Sequence, residues 1–149
     1  MTIIAVQGGV MVADSACFQN DLMFQSVEPK IARAPDGSLV GSSGSMGDGV
    51  ALKAWVRAGM DFDNPPKFSF TVVSDSSSIL WLWLKPNGDI YMGDCTMGTW
   101  PVPSPTAIGY GGLYLHGLLD GGVPLEEAVE RTIERVPYLG GPVQVERIA

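Results

Sequence analysis

The first fifty residues are short apolar segments separated by glycine turns, and this spacing restricts the fold more than any other feature. Residues 2–6 and 9–13 read as strands joined at Gln7-Gly8-Gly9, a tight hairpin signal. Residues 30–35 and 38–43 flank the turn Pro35-Asp36-Gly37 in the same way. The mixed stretch 15–29 holds two short extended pieces and ends at Pro29. A glycine-rich turn with Gly41, Gly44 and Gly47 then opens a helix over about residues 48–59. Ser45, followed three residues later by Asp48, resembles a capping box. Leu52, Trp55, Val56 and Met60 fall on one helical face.

The remainder continues the alternation. Residues 61–67, with Pro65-Pro66, break the chain, and 68–73 and 79–84 read as strands on either side of a polar, serine-rich loop. Trp81 and Trp83 share a strand face by period two, which predicts core or subunit contact. Residues 85–88 turn the chain into a partner strand at 89–92, and the proline-containing stretch 93–106 reads as loop. Helices are expected at 113–119 and 124–135, the second with Leu125, Ala128, Val129 and Ile133 inward and a Glu127–Arg131 pair outside, before a last strand at 142–148. Short turns between strands predict largely antiparallel sheets. Helices in two groups suit an α+β class with two sheets packed face to face. No repeat or linker divides residues 1–149, so one domain is expected.

Composition narrows the function. The net charge is −7 and the nine Lys and Arg are scattered singly, which argues against nucleic acid and anionic membrane surfaces. No apolar run reaches membrane-spanning length, and the opening residues lack a secretion signal, so a cytoplasmic location is expected. Cys17 and Cys95 do not make a disulfide framework and read as small buried residues. His116 is the one histidine, without a Gly-x-Ser-x-Gly elbow or a zinc-ligand set, so it reads as structural. The glycine-rich turn lacks the Gly-Lys-Ser/Thr ending of a phosphate loop. No cofactor or metal is expected.

Several motifs in order then carry a resemblance. The opening Thr2-Ile3-Ile4-Ala5-Val6, the segment Val12-Ala13-Asp14-Ser15, Lys30, the turn at Gly44, Asp48, Ala107 to Gly112 and Tyr138 to Val143 together resemble a proteasome β subunit, and more closely the peptidase of the bacterial two-component heat-shock protease. Both are N-terminal nucleophile hydrolases. The resemblance implies a four-layer αββα sandwich whose second helix is missing between residues 60 and 68. It implies a threonine-type peptidase or amidohydrolase with Thr2 as nucleophile after Met1 is removed. The freed α-amine would be the base, Lys30 would stabilise the alkoxide, Asp14 would hold Lys30, and Gly44 would donate to the oxyanion. It places Phe18, Ser43, Ser45 and Met46 along the substrate, a peptide or protein. It also implies a homo-oligomer and an ATPase partner. Three positions depart from the pattern: Tyr110, Val136 and Leu139 stand where the family has polar groups, two of which orient the amine. Aligning Ile3 to Val6 directly would put Met1, not Thr2, at the nucleophile's place. A scaffold without hydrolase activity is the alternative reading.

Overall fold

The computed structural model describes residues 1–19, 22–26, 28–69 and 78–149. Its strands are β1 (Ile3–Gln7), β2 (Val10–Ala13), β3 (Ala16–Gln19), β4 (Leu22–Gln25), β5 (Ile31–Arg33), β6 (Leu39–Gly44), β7 (Ile79–Leu84), β8 (Ile90–Asp94), β9 (Thr99–Val102), β10 (Thr106–Gly109) and β11 (Gln144–Arg147). The helices are α1 (Met46–Arg57), between β6 and β7, and α2 (Gly112–Asp120) and α3 (Leu125–Arg135), between β10 and β11. Among the described residues the strands form a four-stranded sheet β10-β1-β2-β11, a five-stranded sheet β5-β6-β7-β8-β9 and the separate hairpin β3-β4. Every pairing is antiparallel, as the short turns predict.

Apart from Gln7 at the turn, the strands of the first hairpin are apolar because both of their faces are covered. Ile4 and Val6 of β1 join a cluster with Leu39, Leu82 and Leu84, so it links the two sheets. Ile3 and Ala5 face the other way, onto Leu115, Leu119, Ala128 and Val129 of α2 and α3. Strand β7 alternates in the same manner. Leu82 and Leu84 meet the four-stranded sheet, while Ile79, Trp81 and Trp83 pack with Leu52, Trp55 and Val56 of α1. The shared tryptophan face is therefore core. On α3, Leu125, Ala128 and Val129 are buried as expected, and Ile133 packs partly buried against the same cluster. Thr132 is also buried, because its hydroxyl bonds back to the Ala128 carbonyl at 2.7 Å.

Three expectations need correction. Residues 93–106 are not all loop: Thr99–Val102 is the outer strand of the five-stranded sheet, and residue 106 begins β10. Pro101 is tolerated there because an edge strand has one side that needs no N–H donor. The capping box is only half formed. Ser45 Oγ accepts the Asp48 N–H at 3.3 Å, but the Asp48 carboxylate turns to Ser69 and Ser78 instead. Residues 68–69 are not strand, and 70–73 lie outside the described residues. No helix occurs among the described residues between α1 and β7.

Asp48 is thus a clamp between α1 and the segment leading into β7. It is 4% exposed and accepts the Ser69 N–H at 2.9 Å and the Ser78 hydroxyl at 2.8 Å. Burial pushes its carboxyl upward, but these bonds outweigh burial and hold the pKa below its ordinary value of 3.8. A depressed carboxyl contributes stability above its unfolded pKa and loses it as pH falls through the folded value. Asp48→Asn is expected to cost about 1.5–3 kcal/mol at neutral pH. It should also flatten the loss of stability below about pH 4, read by urea unfolding across pH.

Candidate active site

Three strand ends meet at one point. Thr2 precedes β1, Asp14 follows β2 and Lys30 precedes β5. The β1–β2 hairpin register carries Asp14 beside Ile3, so the Asp14 N–H donates to the Ile3 carbonyl and the Ile3 N–H donates to Asp14 Oδ1 at 3.1 Å. The other carboxylate oxygen accepts the Gly140 N–H at 3.4 Å. Lys30 is fixed from behind, its backbone N–H donating to the Gln144 side-chain oxygen of β11 at 2.6 Å.

Asp14 is fully buried and Lys30 is 8% exposed, and they form an ion pair at 2.8 Å. A buried charge needs such a partner and further hydrogen bonds. Lys30 Nζ also reaches the Ala16 carbonyl at 2.6 Å, the Met1 carbonyl at 3.1 Å and Thr2 Oγ1 at 3.1 Å. Thr2, not Met1, therefore presents a side-chain oxygen to the Asp14–Lys30 pair.

The Thr2 carbonyl accepts the Tyr110 N–H at 2.8 Å. Gly109 makes that approach possible, since a Cβ there would lie 2.0 Å from the Thr2 oxygen. Gly44 closes the other side with φ +118°, and a Cβ on it would sit 2.4 Å from the Ser78 carbonyl. Both positions exclude any side chain. Burial first, then the Lys30 charge, hold the Met1 α-amine below its ordinary value of 8.0, against the opposing pull of Asp14 and Cys17.

Two cavities meet at Thr2. One, of about 710 Å³, is lined by Met1, Phe18, Ser43, Met46 and Tyr110. Its rim carries an edge-to-face stack of Phe18 on Tyr138, with Tyr110 against the same ring. The other, of about 290 Å³, is lined by Ser45, Met46, Phe24, Val50, Glu28 and Lys53. Thr2, Cys17, Gly44 and Met46 line both. All eight residues singled out from the sequence thus come together: Thr2 and Lys30 in contact, Asp14 behind Lys30, and Gly44, Phe18, Ser43, Ser45 and Met46 along the cleft.

Sequence reasoning missed the lower end of the smaller cavity. Lys53 pairs with Glu28 at 3.2 Å, and Arg57 pairs with the other Glu28 oxygen at 3.5 Å. Lys53, by hydrogen bond and charge, holds the Glu28 carboxyl below its ordinary value, and Arg57 adds to this. Phe24 and Cys17 were missed as well. The only local signal was their place on a short hairpin just after Asp14. His116 is structural: its Nε2 accepts the Ala107 N–H at 3.2 Å and ties α2 to β10. Among the described residues no helix is long and apolar enough to cross a membrane.

No family model matches this sequence, and no curated protein matches it. Solved structures do. Thiobacillus denitrificans BPH in complex with epoxomicin is 18% identical, with a TM-score of 0.71 over 99% of this chain and 98% of that chain. A second structure of Thiobacillus denitrificans BPH gives 17% identity and a TM-score of 0.70 over the same shares. Eukaryotic HslV from Trypanosoma brucei gives 14% identity and a TM-score of 0.67 over 98% of each chain. The likeness is one of fold: the chain shares the α+β fold of these BPH and HslV structures.

Proposed function

We propose that the chain is a threonine-type peptidase or amidohydrolase whose nucleophile is Thr2, activated once the peptide bond before it is cleaved. The observation that carries this reading is Thr2 Oγ1 at 3.1 Å from Lys30 Nζ, itself paired with buried Asp14. Cleavage also resolves a mismatch at Lys30. An ammonium has three protons, yet Nζ faces four acceptors: Asp14, Ala16, Met1 and Thr2. Loss of the Met1 carbonyl leaves three acceptors for three protons, one of them directed at Thr2 Oγ1.

In this reading the freed Thr2 amine takes the proton from Oγ1 as the oxygen attacks the substrate carbonyl. An α-amine has an unperturbed pKa of about 7.7–8.0, near working pH. A pKa in that range suits a general base. The Gly44 N–H stabilises the oxyanion, an interaction typically worth about 3–4 kcal/mol. The amine returns its proton to the leaving amine, and water hydrolyses the acyl-enzyme ester.

The three core clusters support a four-layer αββα arrangement, with α1 on one outer face and α2 and α3 on the other. The reading includes a peptide or protein substrate, a cytoplasmic location and a single domain. It also includes a homo-oligomer, with exposed Leu22, Met23 and Phe24 of β4 offering apolar surface to a second copy. An ATPase partner belongs to the same proposal. The test is hydrolysis of a panel of peptide and small-molecule amides by protein beginning at Thr2, compared with Thr2→Ala. Activity restricted to the former is the expected result, and equal activity defeats the reading.

A second reading, a scaffold without hydrolase activity, is favoured by Leu139. It is buried in the apolar cluster that joins β1 to α2 and α3, where the resemblance has a group that orients the amine. It predicts no hydrolysis from protein beginning at Thr2.

A further inference from the structure

We propose that the smaller cavity receives the substrate side chain next to the attacked carbonyl, and that Lys53 makes it select an apolar stem ending in a carboxylate, as in glutamate. This rests on Thr2 being the nucleophile. Thr2 lines the cavity, so a side chain adjacent to the attacked carbon has this space beside it. Phe24, Met46 and Val50 supply apolar walls for methylene groups.

Depth comes from two small residues. Ser42 and Gly49 both line the cavity, and a Cβ on Gly49 would lie 3.2 Å from Ser42 Oγ. Lys53 is held among the same lining residues with its side chain 10% exposed. Its Nζ donates to the Pro29 carbonyl at 3.0 Å and pairs with Glu28 at 3.2 Å. Among the described residues these contacts engage two of the three ammonium protons, and the third is open to a ligand.

The local charge also favours an anion. Asp14 offsets Lys30. Glu28 is shared between Lys53 and Arg57, one on each oxygen, so these groups leave one positive charge in excess. A carboxylate gains a charge-assisted hydrogen bond to Lys53.

The test has two arms. In the first, protein beginning at Thr2 is given fluorogenic peptide amides that differ only in the residue before the scissile bond: Glu, Gln, Leu or Lys. The kcat/KM ratio of Glu to Leu is expected to be about 10 or more, to fall at least about tenfold in Lys53→Met, and to persist in Lys53→Arg. In the second arm, binding of the Glu and Leu peptides to Thr2→Ala protein is measured by calorimetry, with and without Lys53→Met. A Glu preference that depends on Lys53 is expected there too. Hydrolysis without Lys53-dependent preference in either arm overturns the subsite and leaves the nucleophile standing. Lys53-dependent Glu binding without any hydrolysis supports the subsite and overturns the nucleophile. Neither hydrolysis nor selective binding overturns both.

Discussion

Thr2→Ala is expected to reduce hydrolysis by about 10³-fold or more and to leave the fold intact. The two effects separate because Thr2 contributes little to stability. Removing its hydroxyl takes one acceptor from Lys30, which retains Asp14 and the Ala16 carbonyl. The stability cost is then within about 1 kcal/mol, a small part of the roughly 5–15 kcal/mol of a typical domain. In the proposed mechanism, catalysis loses its covalent route. Thr2→Ser keeps the oxygen and the amine and should retain much of the rate. Steady-state hydrolysis alongside urea unfolding checks both halves. A Thr2→Ala protein that still hydrolyses its substrate would remove Thr2 from the chemistry.

Asp14→Ala should strike stability and activity together. The substitution leaves the Lys30 ammonium in a site where it is 8% exposed with no carboxylate, and strips the Ile3 N–H of its side-chain acceptor. Breaking a buried ion pair by removing one partner typically costs about 3–5 kcal/mol, much of a marginal domain's stability. Asp14→Asn keeps an acceptor for the Ile3 N–H and should unfold less readily than Asp14→Ala. It still removes the charge that holds Lys30 toward Thr2, so it should be nearly as inactive. Urea midpoints of the two variants, paired with their hydrolysis rates, test this ordering. Equal stability of Asp14→Ala and the parent would show that the pair is not the buried anchor the geometry describes.

These two effects arise from the part of the molecule most readable in the sequence. The Gln7-Gly8-Gly9 hairpin was legible because both glycines take positive φ, 57° and 77°, and that turn sets the register bringing Asp14 beside Ile3. Spacing alone does not reveal that Lys30 meets Asp14; the resemblance supplied that expectation. Strand β9 was obscured by Pro101, because local proline content does not tell an edge strand from a loop. The cavity around Lys53 was hidden for a different reason. Phe24, Glu28 and Lys53 lie on a hairpin, a connection and a helix, and in sequence Glu28 and Lys53 look like ordinary surface charges. Only tertiary packing joins them, and no local pattern encodes it. Asp48 was expected to close a capping box, but Ser69 and Ser78 take its carboxylate from more than twenty residues away.

The role proposed for the liberated amine is tested most directly by intact mass and peptide mapping after incubation with epoxomicin, the compound in one of the BPH structures of similar fold. Protein beginning at Thr2 is predicted to gain one adduct, mapped to residue 2 and absent from Thr2→Ala, while protein that retains Met1 gains none. An adduct that persists in Thr2→Ala, or no adduct on folded protein beginning at Thr2, would contradict it.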